Sequence, residues 1–337
     1  MTTSPVLNPH LSRPAAAGLV VGALVLLVTL VLPPPAGLPI AGWRTLGLAL
    51  MMAIWWSTEP VPMGATALLP PILMPLLGIA DIGSATAPYA NPLVFLFLGG
   101  FLLAAGVKRW GLHRRLAFWA VQAIGTEPRS LVLGFMVASG FLSMWISNTA
   151  AVVLMLPVAV SIVAVMEEGS TDAAATRRFA LALLLGLAYA ASIGGVGTLI
   201  GTPPNALLAG YLLESHGIDL SFAAWSAVGV PLVIVFLPLG WLILTRVVFP
   251  LGEGLTELAG KREALARLAE SGAITAAEKR VALVFFVAAA LWITRPLLND
   301  LPGLSGLSDP GIALACAFAL FLIPNGMEKE RRFLMSW

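Results

Sequence analysis

The stretch LVLGFMVASGFLSMWISNTAAVVLMLPVAVSIVAV, residues 131–165, is an apolar run that carries Ser147, Asn148 and Thr149 at its middle, with Ser143 one helical turn earlier. In hydrocarbon such a cluster of hydroxyl and amide groups is unfavourable unless something occupies it. The run is also the wrong length for an ordinary span. As one helix it would measure about 50 Å, against a hydrocarbon core of roughly 30 Å. Two full spans would need about 40 residues and leave none for a turn. The run fits a re-entrant hairpin of two short helices, residues 130–166, with Ser-Asn-Thr at its buried tip. The first reading is therefore a solute-binding site inside a membrane.

The whole chain agrees with that setting. It is 59% hydrophobic and 11% charged, with a mean hydropathy of +0.94, which excludes an ordinary soluble domain. Further apolar runs at 15–32, 43–56, 63–79, 92–107, 179–200, 222–249, 281–294 and 312–323 read as polytopic membrane helices. The first lacks a small-residue cleavage site before Pro33, so it reads as a span and not as a signal peptide. Cys316 is alone and lies in a span, which rules out a disulfide framework within one chain. His10, His113 and His216 are scattered near or beyond span ends and suggest no metal or catalytic role. No nucleic-acid partner is expected; the surroundings are a lipid bilayer.

Charge sets the orientation. With a cytoplasmic N-terminus, eight crossings and a hairpin that enters and leaves on one side, the inner segments hold 17 of the 19 basic residues, all but Arg44 and Arg295. That is the positive-inside rule. A single crossing by 131–165 would invert every later loop and divide the basic residues between the two sides. The expected location is the inner membrane, multi-pass.

A second unusual segment runs over 179–213. It begins as a good helix, then reads SIGGVGTLIGTPPN over 192–205 before turning apolar again. Four glycines and two prolines in that window do not sustain a continuous helix. Irregular backbone at membrane depth survives where protein buries it or a wet cavity receives it. A broken span beside a re-entrant hairpin is how transporters build binding sites, with helix N-termini toward anions and carbonyls toward cations. A glycine-rich packing seam is the plainer alternative.

No Asp, Glu, Lys or His occupies the middle of a span. The available ligands are hydroxyls, a carboxamide and backbone carbonyls, hard oxygen donors that suit Na⁺ and need no proton. A membrane enzyme would need an embedded nucleophile and base, or paired aspartates, and neither is present.

An internal repeat is visible as well. Trp56-Ser57-Thr58-Glu59-Pro60 and Trp292-Ile293-Thr294-Arg295-Pro296 share W-x-T-x-P at an offset of 236, each closing a span that starts from the opposite side. The division expected is an N-terminal segment and first helix (1–41), a first inverted repeat (42–250), an amphipathic cytoplasmic connector (251–276) and the start of a second repeat (277–337). The second repeat looks truncated, because its counterpart of Ser147 falls near position 383.

These residues carry a family resemblance. Trp56 to Pro62, Thr66 to Pro70, Asn91-Pro92, Phe97-Leu98-Gly99-Gly100-Phe101, Ser143, Ser147-Asn148-Thr149, Ile193-Gly194-Gly195 and Gly201-Thr202-Pro203-Pro204-Asn205 occur in order over about residues 40–330. The chain resembles the divalent anion:sodium symporters, carriers of dicarboxylates, citrate and sulfate. The resemblance implies an all-α, inverted-repeat elevator transporter, usually a homodimer, coupled to Na⁺. It implies that Ser143, Ser147, Asn148 and the Gly201 carbonyl hold sodium, and that Asn148, Thr149 and Thr202 face the anion. Gly197 and Thr198 stand as the alternative loop pair. It leaves open which anion is carried, C4-dicarboxylate being the first choice. A proton-coupled relative and a non-transporting half-transporter remain alternatives.

Overall fold

A computed structural model describes residues 12–125, 127–169, 172–252, 273–326 and 332–336. The connector expected at 251–276 therefore lies mostly outside the described residues. Among the described residues the regular structure is helical, apart from one isolated bridge between Pro324 and Phe333. The chain forms two compact units, Met1–Asn91 and Pro92–Trp337.

The first unit is a helical pair followed by short helices. Helices α1 (Arg13–Val31) and α2 (Ile40–Thr58) pack through small residues. A Cβ on Gly18 would lie 2.0 Å from Thr58 Oγ1, and one on Gly47 would lie 2.0 Å from Thr29 Oγ1. Lost side-chain volume here becomes close backbone approach, the usual means of helix association in lipid. The run at 63–79 does not form the continuous span expected of it. It divides into α3 (Met63–Ala67) and α4 (Leu69–Leu76), because Pro70 and Pro71 supply no amide and their rings displace the carbonyls of Thr66 and Ala67. Helix α5 (Ile82–Thr86) and a single 3-10 turn (Ala87–Ala90) complete the unit.

The second unit holds α6 (Pro92–Arg109), α7 (Leu112–Ile124), α8 (Pro128–Ser143), α9 (Asn148–Gly169), α10 (Ala173–Gly195), α11 (Pro203–His216), α12 (Phe222–Leu242), α13 (Ala276–Leu298) and α14 (Asp309–Leu322). Helix starts follow their caps. Asp172 accepts from Ala174 N and Ala175 N, Ser221 from Ala224 N, and Thr275 forms a capping box with Glu278. Phe135, Met136, Leu183 and Leu187 fill the core between α8 and α10. Leu96, Leu103, Ala313 and Leu320 fill a second core between α6 and α14, where Gly99 meets the Ala313 backbone.

Among the described residues six helical stretches are long and apolar enough to cross a membrane: Arg13–Val31, Ile82–Arg109, Asn148–Glu168, Ala173–Gly195, Phe222–Val248 and Ala276–Leu298. Of the eight full crossings expected, five are among these; α2, the proline-divided run and the 14-residue α14 are not, and the sixth stretch is α9 of the hairpin. The hairpin arms are also unequal. Helix α8 has 16 residues, whereas α9 has 22 and is itself of membrane length.

Helix ends in this unit sort into two groups. At one end Arg115 Nε meets Glu278 Oε1 at 2.7 Å, Arg109 bonds Ser336, Arg280 bonds the Pro324 carbonyl, and Trp241 bonds the Arg129 carbonyl. At the other, Asp309 pairs with Arg295 at 2.9 Å and accepts from Phe222 N at 2.7 Å. Arg115 and Glu278 are buried together, so removing one partner strands the other charge. Arg115→Ala is expected to cost about 3–5 kcal/mol, read as a lower melting temperature. The Arg115→Ala, Glu278→Ala double variant should recover part of the loss.

The two copies of W-x-T-x-P share two hydrogen bonds but not their backbone: α2 ends at Thr58 with Glu59 left-handed (φ 46), whereas Trp292 to Pro296 stays within α13. Trp56 Nε1 donates to the carbonyl of Met63, the first residue of α3, and Trp292 Nε1 donates to that of Asp309, the first residue of α14. Thr58 and Thr294 each donate to the carbonyl four residues back at 2.7 Å.

Candidate functional site

The hairpin turns over residues 144–147. Met144, Trp145 and Ile146 return their amides to carbonyls of residues 140–142, which ends α8 without a glycine cap. Ser147 then caps α9, its Oγ accepting from Ala150 N at 3.3 Å. Ser143 is fully buried and donates its hydroxyl to Asn148 Oδ1 at 2.8 Å. The last residue of one arm and the first of the other are thus joined through their side chains.

The broken helix meets this tip. Helices α8 and α10 run parallel, since Gly186 lies against Met136 and Gly194 against Gly140. Their C-termini therefore finish side by side. Beyond Gly195 the backbone leaves the helix over 196–202 and re-enters it at Pro203. The connecting loop is held from three sides. Asn205, itself buried, donates Nδ2 to the Gly195 and Thr198 carbonyls, both at 2.8 Å. Trp225 donates to the Val196 carbonyl at 2.9 Å, and Thr198 donates its hydroxyl to the Met144 carbonyl on the hairpin tip.

Four helix ends converge in consequence: the C-termini of α8 and α10 and the N-termini of α9 and α11. A Cβ on Gly195 would stand 2.3 Å from Asn148 Oδ1, and one on Gly201 would stand 2.4 Å from the Gly195 carbonyl and 2.9 Å from that of Ser143. The C-termini bring carbonyl oxygens with partial negative charge, and the N-termini bring the opposite partial charge. The two N-termini are not equivalent. Helix α11 begins with Pro203 and Pro204, which have no amide hydrogen. Helix α9 begins with Asn148 and Thr149, whose amides meet no acceptor among the described residues. Among the described residues no group of three His, Cys, Asp or Glu side chains could hold a metal ion. The convergence is an assembly of neutral oxygens and amides.

Ser143, Ser147, Asn148 and Gly201 come together at this point. Thr202 caps α11 with extended backbone (φ −148, ψ 143), its hydroxyl unused by the helix. Thr149 is exposed one residue beyond Asn148. Thr198 donates its hydroxyl to the hairpin carbonyl, and its own carbonyl accepts from Gly201 N at 3.3 Å. Asn205 was passed over in the sequence as part of a Pro-Pro-Asn break. A carboxamide placed directly after two residues without amides was the available signal. Its donors suit carbonyls, so Asn205→Asp places a carboxylate against two oxygens. We expect a loss of about 1–3 kcal/mol, measured as a lower melting temperature, with the larger share of the damage in the 196–202 loop.

A family model described as citrate transporter matches residues 53–335. The chain belongs to that family of membrane transporters. It is 41% identical over 325 residues to the sodium-dependent dicarboxylate transporter SdcS of Staphylococcus aureus strain USA300, covering 95% of this chain and 62% of that protein. The same protein from strains NCTC 8325 and COL gives the same identity and coverage. The chain thus spans somewhat less than two thirds of the length of these relatives.

Proposed function

We propose that the chain forms part of a sodium-coupled carrier of divalent anions, with C4-dicarboxylates as substrate, and that the convergence of four helix ends is its ion and substrate site. The observation that carries this reading is the contact of Ser143 Oγ with Asn148 Oδ1 at 2.8 Å, pressed against the α10 C-terminus at Gly195. Ser143, Ser147, Asn148 and the Gly201 carbonyl would supply oxygen ligands to Na⁺, which is itself a transported substrate. The donor set fits that ion: hard oxygens at the negative ends of two helices, with no proton to displace. Asn148, Thr149 and Thr202 would face a carboxylate. The amides of Asn148 and Thr149 make the α9 N-terminus the stronger anion partner, because α11 opens with two prolines. The names of the similar proteins, dicarboxylate for SdcS and citrate for the family, support the substrate class.

The mechanism follows from charge. No fixed cation among the proposed ligands offsets a dianion, so sodium binds first, draws the Asn148 carboxamide and the 196–202 loop together, and supplies the missing positive charge. The loaded body, α8 to α11, then moves as a unit in an elevator cycle. The recurrence of W-x-T-x-P, with the Trp and Thr hydrogen bonds that its two copies share, supports an inverted repeat. The gathering of 17 of the 19 basic residues on one set of segments supports an inner-membrane orientation with the N-terminus in the cytoplasm, and the family resemblance supports a homodimer as the functional unit.

The test is binding of labelled succinate to the chain in nanodiscs, with sodium and with potassium in its place. Sodium-dependent saturation carries the proposal. Equal binding in both salts overturns sodium coupling, and pH-dependent binding without sodium favours a proton-coupled carrier.

A further inference from the structure

A cavity of about 390 Å³, lined by none of the proposed site residues, is walled by α6, α7, α9, α13 and the segment 141–146. Its walls include Leu116, Trp119, Phe141, Trp145, Phe285 and Phe286, and Lys108 is the one charged side chain that lines it among the described residues. His113 also reaches the wall and is buried. The volume is that of a small-molecule site, yet the lining offers water almost nothing, and apolar cavities stay dry. Trp119, Phe141 and Phe286 are 45%, 41% and 69% exposed, so the mouth opens on apolar surface.

We propose that this cavity binds one acyl chain of an anionic phospholipid from the surrounding bilayer, with the headgroup phosphate paired to Lys108. Three features select that occupant. The walls are hydrocarbon-like, and the rings at the mouth are exposed and apolar. The cation sits at the rim, at the end of α6 that carries Lys108 and Arg109. That end belongs to the group of helix ends expected on the cytoplasmic face, where anionic lipids are drawn to basic residues. The consequence reaches the site. Trp145 lines the cavity and also stacks on Phe222 and Trp292, with ring centroids 5.9 and 6.2 Å apart. A chain lodged there supports the hairpin tip through Phe141, Leu142, Trp145 and Ile146, so lipid composition biases how readily the tip moves.

The proposal rests on the membrane reading of the chain but requires neither sodium nor substrate, so its test is separate from that of transport. Phosphatidylglycerol with a diazirine in its acyl chain, diluted into phosphatidylcholine nanodiscs holding the chain, is photolysed and the labelled peptides are mapped. Labelling at 141–146 and 282–289 is expected, stronger than with the matching phosphatidylcholine probe. Lys108→Gln, an exposed substitution, should lower it about fivefold. Ala289→Phe, which fills the cavity, should abolish it there while labelling of α1 persists. Equal labelling by the two probes, or labelling indifferent to Lys108→Gln, overturns the proposal.

Discussion

Asn148→Ala is expected to abolish sodium-dependent succinate binding in a protein that remains folded and monodisperse. Asn148 opens α9, its Oδ1 accepts the Ser143 hydroxyl, and the same oxygen lies against Gly195. Removing the carboxamide deletes one proposed cation ligand and releases another, because the Ser143 hydroxyl loses the acceptor that orients it. A contact to a charged group is worth roughly 1.5–3 kcal/mol, so sodium affinity should fall about 10- to 100-fold. The fold has less to lose, since Asn148 is only half-buried and Ser147 keeps its cap on α9. The readout is the rise in melting temperature with sodium, which follows from mass action on the folded state. Wild type should show that rise and the variant should not. Asn148→Asp separates the two roles: its carboxylate still accepts from Ser143 and favours a cation, but it repels the dicarboxylate. Sodium stabilisation should persist in that variant while succinate binding is lost. Unchanged sodium stabilisation in Asn148→Ala would remove Asn148 from the site.

Local sequence made the two interruptions of the membrane helices legible because each breaks a rule within its own segment. Polar residues interrupt hydrocarbon at 147–149, and glycine and proline interrupt a helix at 194–204. Helix α10 and helix α11 end and start where that composition demands. The run at 63–79 shows the opposite failure. Hydropathy made it a span, but Pro70 and Pro71 had already removed the amides a span needs. Other features lay beyond local reading because they depend on register between distant segments. That Gly194 rests on Gly140, that Asn205 bridges two carbonyls of the loop, and that Trp145 stacks on Trp292 follow from α8 and α10 running in parallel and from where α13 packs. The division of labour between the two helix N-termini is intermediate. Pro203-Pro204 was visible, but its meaning appeared only once α9 stood beside it as the better donor.

Gly194 and Gly195 test that register most sharply, because one methyl group at each should have opposite results. A Cβ on Gly194 would lie 2.0 Å from the Gly140 carbonyl oxygen and 2.5 Å from its Cα. Both are backbone atoms of α8, so relief requires the two helices to separate across the core that Phe135, Met136 and Leu187 fill. Overpacking of a tight core costs about 1–3 kcal/mol and more where nothing can yield. Gly194→Ala should therefore lower the melting temperature strongly and reduce the yield of folded protein. A Cβ on Gly195 meets instead the Asn148 carboxamide, with Oδ1 at 2.3 Å. That is the end of a side chain, which can rotate away. Gly195→Ala should keep its melting temperature in potassium and lose the sodium-dependent rise, as Asn148→Ala does. The pair is informative because helix propensity favours alanine over glycine at both positions, so any loss reports contact and not backbone preference. A stable Gly194→Ala would mean that α8 and α10 do not approach through Gly140. A Gly195→Ala protein that still responds to sodium would show that the carboxamide does not act from the place proposed for it.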